Sequence, residues 1–242
     1  MSVRFAYLIE PPFNYRNETG DVTGCDVELA RVILAMIGIR DIEFIEAEFS
    51  QLLPGLNENL WDMTTGLFDT AERRKIVAFS CPIWALPDGL LVRKGNPGNL
   101  AGYASAAKNH ETTLVAIRDQ IQHRMIMEAG VADDHILICE TYDEAAQAVL
   151  DGRADAYASV AMAHLGFLQQ NPELDLEIVT VSPKERPAAP GAFAFRQSDR
   201  ELQSAVDAAL LHYLGSDEHR ALMRNFGFDD QALVNGEAGP AN

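Results

Sequence analysis

Residues 62–82 read DMTTGLFDTAERRKIVAFSCP. Met63 to Leu67 is an apolar run of strand length, and Thr70 to Ile76 follows it as a helical turn with Thr70 in the N-cap position. Three cations, Arg73, Arg74 and Lys75, sit on that turn between two apolar segments, in a chain whose formal net charge is −17. A buried strand that hands over to a helical turn is the repeating step of an α/β fold. The cations raise a second question, namely which anion they meet.

Working outward, the same step recurs on both sides. Upstream, Val3 to Ile9 reads as a strand, followed by a Pro-Pro loop and a turn at Glu18 to Gly24. Asp26 is placed to cap a helix with Val27, Ala30, Ile33, Leu34 and Ile37 on one face, stopped by Gly38. Ile42 to Glu46 is a second strand, and Ser50 is placed to cap a short helix through Leu60. Downstream, Gly89 to Val92 is a strand, so a largely parallel sheet covered by helices is expected. After a loop at Asn96 to Asn99 the rhythm restarts. Strands are predicted at Thr112–Ile117, His135–Cys139, Ala154–Ser159, Glu177–Val181 and Gly191–Arg196. Helices are predicted near Gln122–Ala129, at Tyr142–Leu150, and at Ser198–Leu214 and Ser216–Asn225. Two α/β units joined by strands near 89–94 and 191–196 imply two lobes with a cleft between them.

At 242 residues, 48% hydrophobic and 23% charged, the chain is long enough for one large domain or two ordinary ones. No apolar run reaches the roughly 18 residues of a membrane span; Val32 to Ile39 is the most apolar stretch and is too short. The acidic balance argues against nucleic acid and against anionic membranes, both of which demand clustered cations. A small molecule or a protein is the expected partner. Cys25, Cys81 and Cys139 are widely spaced and read as free thiols, and neither they nor the six scattered histidines have metal-ligand spacing. No metal or cofactor is expected. The opening MSVRFAYL has neither a basic nor an apolar leader region, which fits a cytoplasmic chain or a mature segment given a start Met.

The stretch PPFNYRNETGDVTGCDVELARVILAMIGI resembles the opening of the family 3 solute-binding proteins that serve ABC importers of polar amino acids. FSQLLPGLNENLWDM, TAERRKIVAFSCP, LLVRKGNP, AVLDGRADAYAS, GAFAFRQSDRELQSAVDAAL and LMRNFGFDD follow in the family's order, so the resemblance spans nearly the whole chain. It implies a two-lobed type II periplasmic-binding-protein fold with two crossover segments. Lobe 1 would be residues 1–91 plus 192–242 and lobe 2 residues 92–191. It further implies a periplasmic, monomeric protein that traps a ligand by hinge closure and presents it to a membrane permease.

The resemblance also nominates a site. In Thr70-Ala71-Glu72-Arg73 the arginine matches the one that holds the ligand carboxylate in the family, with Arg74 as a lesser candidate. A guanidinium suits this task because it binds carboxylates through two parallel hydrogen bonds. Gly66 and Phe68 belong to the strand before it. Glu10 stands where most relatives carry an aromatic residue, and is read as the counter-charge to a cationic ligand group. Phe13, Phe49 and Phe68 fall where the family lines its cleft, and aromatic faces attract ammonium and delocalised cations.

Two departures narrow the ligand. Val160, beside Ser159, stands where amino-acid binders carry the aspartate that holds the α-ammonium, and Arg118-Asp119-Gln120 replaces an expected Gly-Thr. Asp119, Gln120 and Ser159 complete the nominated set. Together these features look like the ectoine-binding branch, and predict a small zwitterion with one carboxylate and a hindered or delocalised cation. The alternatives on the same scaffold are a cyclohexadienyl dehydratase-like enzyme, with Glu10 or Asp119 as the acid, and a ligand-sensing domain.

Overall fold

The first strand, β1 (Ser2–Tyr7), buries Val3, Phe5 and Tyr7 on one face and Ala6 on the other, as a strand covered on both sides must. The computed structural model describes residues 2–229 and 232–234. The chain forms two units, Met1–Ala85 with Ala189–Asn242, and Leu86–Ala188.

In the first unit β1 is followed by β2 (Tyr15–Arg16), β3 (Val22–Thr23), α1 (Cys25–Met36), β4 (Asp41–Glu46), α2 (Leu52–Asn57), β5 (Met63–Phe68), β6 (Ala78–Phe79) and β7 (Trp84–Leu86). The second unit holds β8 (Asp88–Arg93), α3 (Tyr103–Lys108), β9 (Leu114–Ile117), α4 (Ile121–Glu128), β10 (Ile136–Cys139), α5 (Tyr142–Leu150), β11 (Ala156–Val160), α6 (Ala161–Gln170) and β12 (Leu176–Thr180). The chain then returns through β13 (Ala189–Phe195) to α7 (Arg200–Tyr213) and α8 (Asp217–Arg224).

The two sheets share one plan. In the first the order is β4-β1-β5-β13-β6, with β7 on β13; in the second it is β10-β9-β11-β8-β12. Strands β4, β1 and β5 are parallel, as are β10, β9 and β11. The strand that enters each unit from the other, β13 or β8, lies antiparallel beside the third of them. The sheets are therefore mixed, where the sequence rhythm predicted largely parallel ones. The entering strands cause the difference, because each comes in from a crossover and not directly from a helix of its own unit.

The units change over at 85/86 and 188/189, where the sequence reading drew 91/92 and 191/192. Strand β8 pairs along its length with β11 and β12, which assigns all of it to the second unit.

Local details also differ from expectation. Asp26 does not cap α1. The helix starts at Gly24, and its first N–H groups go to backbone carbonyls instead, Cys25 to Pro12 (2.9 Å) and Asp26 to Phe13 (3.1 Å). Gly24 has φ 129°, and a Cβ there would lie 2.1 Å from the Phe13 oxygen, so only glycine lets the loop close on the helix. Ser50 does not cap the next helix either. Glu48 and Gln51 form a reciprocal capping box around a 3-10 turn, Phe49–Gln51, that leads into α2. Helices α3 and α6 were unforeseen. The first is six residues long, and the second follows β11 with no intervening turn residue to announce it.

Candidate functional site

Six of the nine nominated residues belong to the first unit, and all six cluster at or just past the carboxyl ends of β1, β4 and β5. Open α/β sheets bind ligands at that edge, because the loops there are not committed to the core. Glu10 follows β1, Phe49 follows β4, Gly66 and Phe68 end β5, and Arg73 lies on the turn after it.

Glu10 is 9% exposed, at the base of a loop that contains the cis Pro11–Pro12 bond. Its backbone exchanges hydrogen bonds with Asn14, N–H to Asn14 oxygen at 2.8 Å and oxygen from Asn14 N–H at 3.1 Å. Phe13 sits in the same loop, held because its carbonyl receives the N–H of Asp26.

Arg73 opens a single 3-10 turn, Arg73–Lys75. A turn this short has little macrodipole, so its start opposes a cation far less than the start of a long helix would. Glu72 rather than Thr70 holds the N-cap position of the turn, while Thr70 Oγ1 accepts the Arg73 N–H at 3.2 Å. The guanidinium donates from Nη1 to the Phe68 carbonyl at 2.9 Å, and its Cζ lies 5.3 Å from the centre of the Phe49 ring. Arg74 is occupied differently: its guanidinium forks onto the largely buried Asp69, with Nε to Oδ1 at 2.6 Å.

Phe13 and Phe68 are 4% and 8% exposed, and they do not touch solvent as open faces. Both pack on Trp84, each with centroids 5.6 Å away, and Phe13 also meets Phe228 at 6.1 Å. The Gly66 N–H is likewise engaged, donating to Asp26 Oδ2 at 2.8 Å. Asp26 lies fully buried below this floor. It also accepts from Thr65 Oγ1 (2.7 Å) and Trp84 Nε1 (3.1 Å), while Asn14 Nδ2 donates to Thr65 Oγ1 at 2.7 Å. Burial pushes the Asp26 carboxyl up, and these hydrogen bonds pull it part of the way back.

Sequence reasoning missed Trp84, Asn14 and Thr65, and misread Asp26. A signal for Trp84 did exist. It is one of two tryptophans and lies next to the crossover, two residues past the quoted stretch that ends at Pro82.

In the second unit the three remaining residues also lie at carboxyl ends of parallel strands. Asp119 and Gln120 follow β9, and Ser159 is next to last in β11. Asp119 has φ 62°, which Asp tolerates better than most residues. The buried Gln120 is the extended residue that starts α4. Ser159 is 2% exposed, opposite Gly89 on β8. Among the described residues no group of His, Cys, Asp or Glu is arranged to hold a metal ion.

Two α/β units joined by two crossovers, with polar and aromatic residues gathered at the carboxyl edge of each sheet, define a solute-binding protein of the two-lobed type. The profile of the bacterial extracellular solute-binding proteins, family 3, matches residues 3–229, and the chain belongs to that family. A relative from Sinorhizobium fredii, named probable amino-acid ABC transporter periplasmic-binding protein y4tE, is 30% identical across 96% of this chain and 79% of its own length. The arginine-binding protein ArgT of Corynebacterium glutamicum is 30% identical across 93% of this chain and 75% of its own. Among solved structures, EhuB in complex with hydroxyectoine superposes with a TM-score of 0.86 at 28% identity, covering 94% of this chain and 89% of that one.

Proposed function

We propose that this chain is the periplasmic capture component of an ABC importer and takes a small zwitterion that carries one carboxylate and a hindered or delocalised cation. Ectoine and the betaines are the reference compounds. The observation that carries the reading is the state of Arg73. Its guanidinium lies on the turn just past the carboxyl end of β5, donating to the Phe68 carbonyl and facing the Phe49 ring. A carboxylate takes the forked bond on Arg73. The Phe49 face and the Glu10 side chain receive the cation, with Phe13 and Phe68 as apolar walls. Val160 in place of an ammonium-binding aspartate disfavours a plain α-amino acid. Asp119, Gln120 and Ser159 are the second unit's contribution, made on hinge closure. The likeness to the hydroxyectoine complex supports ectoine as a reference compound, and the likeness to an arginine-binding protein is the reason to include L-arginine in the test.

Calorimetric titration with ectoine, hydroxyectoine, glycine betaine, proline betaine and a set of L-amino acids tests it. Micromolar or tighter binding of a compound from the first group is expected. Tight binding confined to plain α-amino acids would defeat the reading.

A further inference from the structure

The indole of Trp84 touches both walls of the proposed site, and the fold clears space for it at two glycines. It is 4% exposed. Phe68 meets it edge-on, at 87° and 5.6 Å, and Phe13 meets it at 45° and 5.6 Å. A Cβ on Gly191 would sit 2.0 Å from the indole Cη2 and Cζ3, and one on Gly66 would sit 2.9 Å from Cζ2. Neither glycine has a left-handed φ, so the backbone does not require glycine at either place. At Gly191 the space taken by the indole does; at Gly66 the indole shares that role with Asp26 Oδ2 and Ile83 Cδ1, each also 2.9 Å from such a Cβ.

The ring's rotation is fixed as well. Its Nε1–H donates to Asp26 Oδ1 at 3.1 Å, and the other oxygen of that carboxylate is held by Thr65 and Gly66. The buried carboxylate thus satisfies three donors at once, the Thr65 hydroxyl, the Gly66 N–H and the indole N–H, and any other orientation of the indole would leave its N–H without this acceptor. Trp84 also lies on β7, against the crossover at 85/86, while Gly191 lies on the returning strand β13.

We propose that Trp84, oriented by Asp26, is the positioning residue that sets the spacing of Phe13 and Phe68, and so determines which ligands the first unit accepts. The inference rests on the reading of those two rings as ligand walls. Unlike that reading, it makes a claim about the empty protein. With the indole removed, both phenylalanine rings lose the same neighbour and move together. Trp61, by contrast, packs in a separate core cluster, where its indole N–H donates to the Leu52 carbonyl at 2.8 Å.

The test uses fluorophenylalanine-labelled protein, with the fluorine resonances of Phe13 and Phe68 assigned by single Phe→Leu substitutions. Trp84→Leu and Gly191→Ala are each expected to shift both resonances without ligand, while Trp61→Phe shifts neither. If both variants fold, by circular dichroism, and both resonances stay put, the proposal is overturned. The second arm is calorimetry with ectoine and L-arginine. Trp84→Leu is expected to lower the ectoine affinity at least tenfold and narrow its ratio to that for L-arginine. A lower thermal midpoint with both affinities intact would make Trp84 merely structural and overturn the proposal too. Should the unmodified protein bind neither compound, the ligand assignment fails, and the fluorine arm still decides on Trp84.

Discussion

The guanidinium carbon of Arg73 lies 5.3 Å from the centre of the Phe49 ring, while Arg74, one residue on, is forked onto Asp69. Adjacent arginines on one turn thus have different neighbours. Arg73→Lys keeps the charge but loses the planar fork, so the affinity for the zwitterion is expected to fall about 10- to 100-fold, or roughly 1.4–2.7 kcal/mol. Arg74→Ala is expected to change it less than about threefold, or roughly 0.7 kcal/mol, because that guanidinium is engaged by Asp69. Calorimetry on the two variants checks this. Equal losses from both would remove the distinction on which the site assignment rests.

Glu10 tests the other end of the ligand. Glu10→Gln preserves shape and removes charge, and a charge-assisted contact contributes about 1.5–3 kcal/mol. Ectoine affinity is expected to drop at least tenfold, with a smaller loss for a carboxylic acid of similar size that lacks a cation. A uniform loss for both compounds would show that Glu10 shapes its loop and does not recognise a cation.

How far the sequence reached is clear from particular residues. The strands and the longer helices were legible because buried segments must be apolar and because Gly38, with φ 83°, marks an end that local chemistry dictates. Arg73 was nominated through the family resemblance of Thr70-Ala71-Glu72-Arg73, and it lies on the turn after β5. Asp26 was not, because an acid at the head of an amphipathic helix usually caps it. Here the carbonyls of Pro12 and Phe13 do that work, twelve or more residues away in the chain, and the carboxylate is left to orient Trp84. The mixed sheets escaped for a similar reason. Strand direction is decided by which neighbour β8 and β13 find on arrival, and a hydrophobic pattern carries no record of direction.

Asp88 and Arg186 form a buried ion pair at 2.5 Å, with side chains 1% and 17% exposed. Tyr103 (3.0 Å) and Gln122 (2.8 Å) also donate to Asp88. The pair fastens the first strand of the second unit to the segment about to leave it. Asp88→Ala strands a buried guanidinium and is expected to cost about 3–5 kcal/mol, whereas Asp88→Ala with Arg186→Leu recovers part of that loss. Urea unfolding measures both. A double variant no more stable than the single one would mean that the hydrogen bonds to Asp88, rather than its partner's charge, matter most.

His164 sets an acid limit on stability. It is fully buried, and its Nε2 faces the Gly89 carbonyl at 3.2 Å. A carbonyl only accepts, so Nε2 carries the hydrogen, and Nδ1 accepts from the Tyr142 hydroxyl at 2.6 Å. Both ring nitrogens are satisfied by the neutral form, and burial pushes the imidazole down to about 3. The unfolded chain takes up this proton near pH 6.5 and the folded chain does not. The stabilisation is therefore complete above pH 6.5 and is lost as pH falls towards 3, by up to about 1.4 kcal/mol per pH unit. His219, also buried and pushed down to about 4, adds to the same slope. His164→Gln can still donate to Gly89 and accept from Tyr142, so it is expected to be less stable at pH 7.5 yet to lose less between pH 6.5 and 4.5. Urea midpoints at four pH values, read as the difference between the two proteins, isolate His164 from the carboxylates common to both. If the two curves run parallel, His164 titrates alike in the folded and unfolded chains, and the acid sensitivity originates elsewhere.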